Sequence, residues 1–317
     1  MKKLILTLAA TLAFLSLGAQ EYGVVNISVC NMRRTADFDA EMISQALLGT
    51  PVHIVADNGA LALAWPQIQT PDGYKGWVHY AVVERMSYKD YHAWNAAPKA
   101  VVTGLAGVVY QKMSVKSAVV SDVVAGCRLK LLKKRGAWLQ VEFPDKRRGY
   151  IQRKIAAPER EWRMKLDQSP MAVLASARSM MGFPYLWAGM SPKGMDCSGF
   201  VRTVLFMHDI VIPRDAGPQS LVGERIERQD DLRPGDLVFF GSRRADGTPR
   251  VSHVGFYLGD GQFIHSLGLV KVGSFLPGRP EYDPYNAARY LFGGRILGRI
   301  EKEDGISTTL SNKFYRE

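Results

Sequence analysis

Asp196-Cys197-Ser198-Gly199-Phe200-Val201 marks the point where a loop runs into an apolar, helix-forming stretch that continues to about His208. A thiol at the first helical position meets free backbone N–H groups and the positive end of the helix dipole, and both favour its thiolate. A buried packing cysteine would fit the same local pattern, so the case for chemistry depends on residues further along. Ser252-His253-Val254-Gly255 opens one apolar strand and Ile264-His265-Ser266 closes the next, with Gly259-Asp260-Gly261 as the turn between them. A hairpin of this kind brings two imidazoles onto neighbouring strands. A nucleophile, a base to take its proton and a third group to orient the base are the parts needed for covalent acyl transfer. The plainer alternative is two strand histidines satisfied by backbone carbonyls. His53, His79, His92 and His208 lack such partners in the pattern and read as surface or packing residues.

Around this core the pattern is α+β. A helix is expected over Ser169 to Met181, with Ser169 as N-cap and Pro170 at the first helical position. Leu237-Val238-Phe239-Phe240, His253 to Leu258 and Gln262 to Ser266 are short apolar strands separated by turns, which gives an antiparallel sheet beside the cysteine-bearing helix. No glycine-rich phosphate loop and no cysteine cluster with zinc spacing occurs, so neither a cofactor nor a metal is expected, and no nucleic-acid partner.

The N-terminal half reads as β-structure with an internal repeat. Gly49-Thr50-Pro51-Val52-His53-Ile54-Val55 is answered by Gly126-Cys127-Arg128-Leu129-Lys130-Leu131-Leu132, Trp65 by Trp138, and Lys75-Gly76-Trp77-Val78 by Arg148-Gly149-Tyr150-Ile151. Further strands are expected at Val24 to Val29 and from Leu61 to Trp65. The order of glycine, tryptophan and glycine-aromatic-aliphatic resembles the bacterial SH3-like domains of wall-acting enzymes, with the tryptophans expected to fill small cores. The charged stretch Ala156 to Gln168 reads as a linker.

Bulk properties bound the rest. At 317 residues the chain is long enough for two or three compact units. Lys2 and Lys3, the apolar run Leu4 to Leu17, and small residues at Gly18 and Ala19 form a secretory signal cut near Ala19, so export to the periplasm or the medium is expected. No later apolar run is long enough to span a membrane. Three cysteines leave at least one thiol unpaired, while Cys30 and Cys127 are free to pair or to pack separately. The net charge of +11 fits attraction to anionic envelope polymers as well as a merely basic surface.

Tyr185-Leu186-Trp187-Ala188-Gly189, Asp196-Cys197-Ser198-Gly199-Phe200, Pro213-Arg214-Asp215, Arg233-Pro234-Gly235-Asp236-Leu237, His253-Val254-Gly255 and Ile264-His265-Ser266 occur in the order seen in the NlpC family of cell-wall peptidases. The resemblance spans about Ser169 to Arg299, and its one departure is Ala188, where many relatives carry a second glycine. It implies a papain-like peptidase domain over residues 161–317, preceded by SH3-like units over 20–98 and 99–160. Cys197 would be the nucleophile, His253 the base, His265 its orienter and Tyr185 an oxyanion donor. Asp196 and Ser198 of the same motif would lie in the substrate site.

The pairing with SH3-like units looks like the wall-peptide recycling subgroup, which cleaves the γ-D-glutamyl bond to a diamino acid in peptides with a free N-terminal L-alanine. That likeness implies Asp215 as the partner of the substrate ammonium, with Glu41 and Tyr80 as further contacts. Ala216 stands where relatives have a serine. Two other readings stay open: an N-acetylmuramoyl-L-alanine amidase or endopeptidase of intact wall with the small domains as anchors, and a non-catalytic wall-binding protein.

Overall fold

The computed structural model describes residues 22–58 and 65–317. The signal expected at 1–19 and the strand start expected at Leu61 therefore lie outside the described residues. The first unit is a seven-stranded antiparallel sheet of Tyr22–Val25, Val29–Arg33, Met42–Leu47, Pro51–Asn58, Trp65–Gln69, Lys75–Trp77 and Val83–Met86. In space these run third, second, sixth, fifth, fourth, first, seventh. The second unit, Lys99–Val102, Ala106–Tyr110, Val119–Val124, Arg128–Arg135, Trp138–Glu142, Arg148–Gln152 and Ala156–Pro158, repeats that order strand for strand. The repeat seen in the sequence is thus a repeat of topology. Each unit has its own apolar core, with Val25, Met32, Val52, Ile68 and Val78 in the first and Val109, Leu129, Leu139, Val141 and Ile151 in the second.

Two expectations are corrected, and one alternative left open is decided. Trp65 and Trp138 are half-buried and fill neither core, because strand alternation turns Ile68 and Leu139 inward instead. Trp65 packs edge-on against Phe38 with ring centroids 4.8 Å apart, and Trp138 packs similarly on Tyr110 at 6.0 Å. Ala156–Pro158 is no linker: it pairs with Lys99–Val102 and completes the second sheet, and Glu159–Arg163 follows as a short helix. Cys30 and Cys127 are both free and buried in different cores. The two units touch where Gly49, at φ +82°, leaves no room for a side chain: a Cβ there would lie 1.7 Å from the Arg128 carbonyl oxygen.

The third unit places two helices, α1 (Pro170–Arg178) and α2 (Cys197–Met207), against a six-stranded antiparallel sheet. Its strands are β1 (Glu224–Ile226), β2 (Leu237–Arg243), β3 (Pro249–Gly259), β4 (Gln262–Leu267), β5 (Leu269–Ser274) and β6 (Tyr290–Arg295), in the order β1-β6-β2-β3-β4-β5. Ser169 Oγ accepts from the Ala172 N–H at 3.3 Å and starts α1 as its sequence suggests. Phe200, Val201, Val204 and Leu205 of α2 bury against Phe239, Val254, Phe256 and Ile264, each large side chain contributing about 1.5–3 kcal/mol. This packing fixes Cys197 over the middle of the sheet. The chain then returns to the first unit, where Phe314 stacks on His53 with centroids 4.2 Å apart and Glu317 Oε2 lies 2.8 Å from His53 Nε2. Gln45 Oε1 accepts from the Met190 N–H at 2.8 Å, and Asp72 pairs with Arg202 at 3.2 Å, seating the first unit against α2.

Candidate active site

Cys197 is the first residue of α2, and Asp196 is its cap. Asp196 Oδ1 accepts from the Gly199 N–H at 2.7 Å and the Ser198 hydroxyl at 3.2 Å. Its Oδ2 accepts from the Ala188 N–H at 3.0 Å, and the fully buried Arg214 grips both oxygens at 3.1 and 2.7 Å. Through these hydrogen bonds Asp196 fixes the start of the helix that carries Cys197. Ser198 is engaged likewise, its hydroxyl accepting from Arg214 at 2.8 Å. Both residues line the cleft, and their side chains also hold one another and Arg214 at the start of α2. Gly199 is required here because a Cβ would lie 2.0 Å from the Gly189 carbonyl oxygen. Ala188 adopts φ +61°, the left-handed conformation that a glycine takes without strain and an alanine only at a cost, so the one departure from the motif falls where glycine fits best.

His253 on β3 and His265 on β4 meet in a 2.8 Å hydrogen bond from ring to ring, His253 Nε2 to His265 Nδ1. The register pairs His265 with Gly255, two residues from His253 on the same face, and the missing side chain at 255 gives the second ring its space. Since Nε2 of His253 is occupied, Nδ1 is the nitrogen free to face the thiol. If that Nδ1 is to accept a proton, Nε2–H of His253 donates to His265, whose own proton then sits on Nε2. That atom is buried with no hydrogen-bond partner among the described residues, and Asp283 Oδ2 stands 3.8 Å away.

The electrostatics correct one expectation. Burial pushes the Cys197 thiol up to about 12, the neighbouring Asp196 carboxylate adds to this, and the backbone N–H groups of Val254 and Ser198 offset only part. Desolvation here outweighs the helix dipole, so the free thiol is protonated rather than a preformed thiolate. Burial first, and then the charges of His265 and Arg289, lower His253 to about 3. Burial also lowers His265 to about 4, against a raising effect from Asp283. The resting pair is a neutral thiol and a neutral imidazole. Tyr185 lies beside them, its hydroxyl raised to about 12 by burial and by Cys197, and so stays a hydrogen-bond donor across the physiological range.

The cleft above these groups has a volume of about 410 Å³. The first SH3-like unit supplies one wall through Arg34, Glu41, Ile43 and Tyr74. Glu41 pairs with Arg34 at 2.7 Å and accepts from the Trp187 indole at 3.1 Å, so it reaches the site as the resemblance implied. Tyr80 does not line the cleft; it packs tilted against the His79 ring with centroids 4.2 Å apart, and Tyr74 takes a place on this wall instead. Asp215 is half-exposed at the same end, 3.9 Å from Arg214 and facing the Tyr74 hydroxyl, with its carboxyl raised chiefly by burial. Tyr74 and the opposite wall formed by Ser252, Tyr285, Asn286 and Arg289 carried no motif by which the sequence could single them out. Among the described residues no group of three or more His, Cys, Asp or Glu could hold a metal ion, and no helix is long and apolar enough to cross a membrane.

Residues 182–282 match the model of the NlpC/P60 family, and residues 28–84 match the bacterial SH3 domain. A γ-D-glutamyl-L-lysine dipeptidyl-peptidase of Bacillus cereus is 32% identical over 256 residues, covering 78% of this chain and 75% of the relative. The chain belongs to the NlpC/P60 family. As a member it is a cysteine peptidase of the peptidoglycan-hydrolysing kind. Dipeptidyl-peptidase 6 of Lysinibacillus sphaericus is 26% identical over 271 residues, covering 82% of this chain and 93% of that relative. A solved NlpC/P60 family protein from Bacillus cereus superposes with a TM-score of 0.73 at 24% identity, covering 87% of this chain and all but 1% of its own, and so shares the fold of all three units.

Proposed function

We propose that this NlpC/P60 peptidase is exported and hydrolyses the γ-D-glutamyl bond to a diamino acid in short peptidoglycan peptides that carry a free N-terminal L-alanine. The observation that carries the reading is the closed end of the cleft. The first SH3-like unit walls it off, and Asp215 stands there half-exposed, 3.9 Å from an Arg214 that is already gripped by Asp196 at 2.7 Å. Burial disfavours that charge, so an incoming ammonium gains both the pairing and the relief of the burial cost. The two Bacillus and Lysinibacillus relatives, named for dipeptide release, accord with this arrangement. Anchoring to intact wall is the weaker reading, since a unit whose residues form one side of the cleft restricts access for a cross-linked polymer.

In the proposed mechanism Cys197 Sγ attacks the γ-carbonyl of D-glutamate as its proton passes to His253 Nδ1. The neutral pair makes this a general-base step rather than attack by a resident thiolate. The carbonyl electrons move onto oxygen, where the Cys197 N–H and the Tyr185 hydroxyl receive them. Collapse breaks the C–N bond, the leaving amine takes the proton from His253, and a thioester remains. Water then attacks with His253 again as base, releasing the dipeptide and restoring the thiol. His265 holds the base in its productive tautomer throughout.

The test is mass-spectrometric digestion of L-Ala-γ-D-Glu-diaminopimelate and its N-acetyl form by wild type and Cys197→Ala. Cleavage of the free-amine peptide alone, lost in the variant, is the expected result. Equal cleavage of both forms, or activity only on insoluble wall, would overturn the substrate assignment.

A further inference from the structure

The charges in the cleft do not cancel, and their remainder is ordered. Arg34 is paired with Glu41, and Arg214 with Asp196, each at 2.7 Å. Arg289 lines the same cleft and has no carboxylate within 4.0 Å among the described residues. Its guanidinium is nonetheless held in place: Nη2 donates to the Ser252 hydroxyl at 2.7 Å, Nη1 reaches Asn286 Oδ1 at 3.5 Å, and the group lies over the Tyr285 ring at 4.5 Å. Asn286 is itself fully buried and fixed by Asp283 Oδ2 at 2.6 Å. Two of the five guanidinium N–H groups are thus engaged, and the planar fork has donors left for a carboxylate.

The reaction supplies the direction. The leaving amine must take its proton from His253, so the leaving residue sits on the His253 side of the scissile bond. Arg289 is on that side, tied to Ser252, the residue next to the base. Asp215 marks the opposite end, beside Arg214 and Tyr74. We propose that Arg289 forms a carboxylate subsite for the leaving diamino acid, so that the cleft selects short peptides bearing an ammonium at one end and a carboxylate beyond the scissile bond. This rests on the function proposed above. The carboxylate has two sources with the same chemistry, the terminal α-carboxylate of a tripeptide and the side-chain carboxylate of a diamino dicarboxylic acid.

Four substrates separate the sources: L-Ala-γ-D-Glu-L-Lys as acid and as amide, and the meso-diaminopimelate peptide as acid and as α-amide, each assayed with wild type, Arg289→Gln and Arg289→Lys. Wild type should prefer the lysine acid over the lysine amide by about tenfold or more in kcat/KM if the α-carboxylate is read, a ratio on the scale of a charged hydrogen bond. If the side-chain carboxylate is read, the diaminopimelate α-amide should instead be cleaved about as well as its acid, and tenfold better than the lysine amide. In either case the preference should fall to near one in Arg289→Gln and return in part in Arg289→Lys. A ratio is read because Arg289 also braces Ser252, and loss of that brace would slow all four substrates together. A preference that survives in Arg289→Gln, or a wild type that cleaves all four equally, would overturn the subsite while leaving the proposed function standing. Failure of wild type to release the dipeptide from any of the four would reject the proposed function, and the subsite with it.

Discussion

The two SH3-like units share a strand order, yet only the first reaches the chemistry. In the first, Thr70-Pro71-Asp72-Gly73-Tyr74 links two strands, and in the second Phe143-Pro144-Asp145-Lys146-Arg147 makes the same link with the same Pro-Asp and the same left-handed fourth residue, Gly73 at φ +80° and Lys146 at +70°. The fifth residue separates their uses. Tyr74 enters the cleft and faces Asp215, whereas Arg147 turns back, donating to the Asn26 carbonyl at 3.0 Å and the Val120 carbonyl at 3.3 Å. The eight-residue connections 34–41 and 111–118 close with the same backbone hydrogen bond, from the Arg34 N–H to the Glu41 carbonyl at 3.0 Å and from the Gln111 N–H to the Ala118 carbonyl at 2.9 Å, but only Arg34 and Glu41 line the cleft. A duplicated scaffold thus separates recognition from support through side chains alone, with no change of backbone plan.

Several substitutions probe this division. Tyr185→Phe, in the peptidase unit, should show the largest loss, about 100-fold or more in kcat, because in the proposed mechanism it removes an oxyanion donor that neither small unit can replace; a rate within threefold of wild type would exclude the hydroxyl from that role. Tyr74→Phe should raise KM for the free-amine peptide about tenfold with little change in melting temperature, since it loosens Asp215 while keeping the ring that packs on the core of the first unit. Arg147→Ala should do the reverse, costing about 1 kcal/mol of stability at unchanged kcat/KM. If the Arg147 variant lost activity and the Tyr74 variant stability, the division of labour between the units would be wrong.

The histidine pair gives a pH signature that belongs to the peptidase unit. Both imidazoles are held down by burial, to about 3 and about 4, and so remain neutral when folded at a pH where the unfolded chain, near 6.5, binds protons. Their contribution to stability is complete above pH 6.5 and is lost as pH falls toward 4. Each histidine adds a slope of up to about 1.4 kcal/mol per pH unit in that window. Urea unfolding between pH 6.5 and 5 should show the slope in wild type and roughly half of it in His265→Gln. The smallest effect is expected at Ala188→Gly, which relieves the left-handed alanine and should raise stability by up to about 1 kcal/mol.

Much of this was legible in the sequence because the residues concerned act locally. Cys197 at a helix start, the two histidines flanking a tight turn, and the glycines at 49 and 126 each follow from a few neighbouring residues. What was not legible depends on long-range packing. Trp65 and Trp138 look like core residues by composition, but strand alternation decides which face they take. The thiolate expected at Cys197 fails because its burial under β3 and Tyr185 is set by the whole unit. Tyr74 displaces Tyr80 from the cleft because a turn geometry, and not a motif, aims it. Tyr285 lies in the short helix Pro284–Ala287 and Arg289 just after it, before β6, with no recurring pattern to mark them.

The account turns on Asp215 as the partner of a substrate ammonium, and the most direct test is the ratio of kcat/KM for L-Ala-γ-D-Glu-diaminopimelate over its N-acetyl form in wild type and Asp215→Asn. A ratio of about 100 or more in wild type that collapses toward one in the variant, through loss on the free-amine peptide alone, is the predicted result. A ratio that is unchanged by the substitution would contradict it.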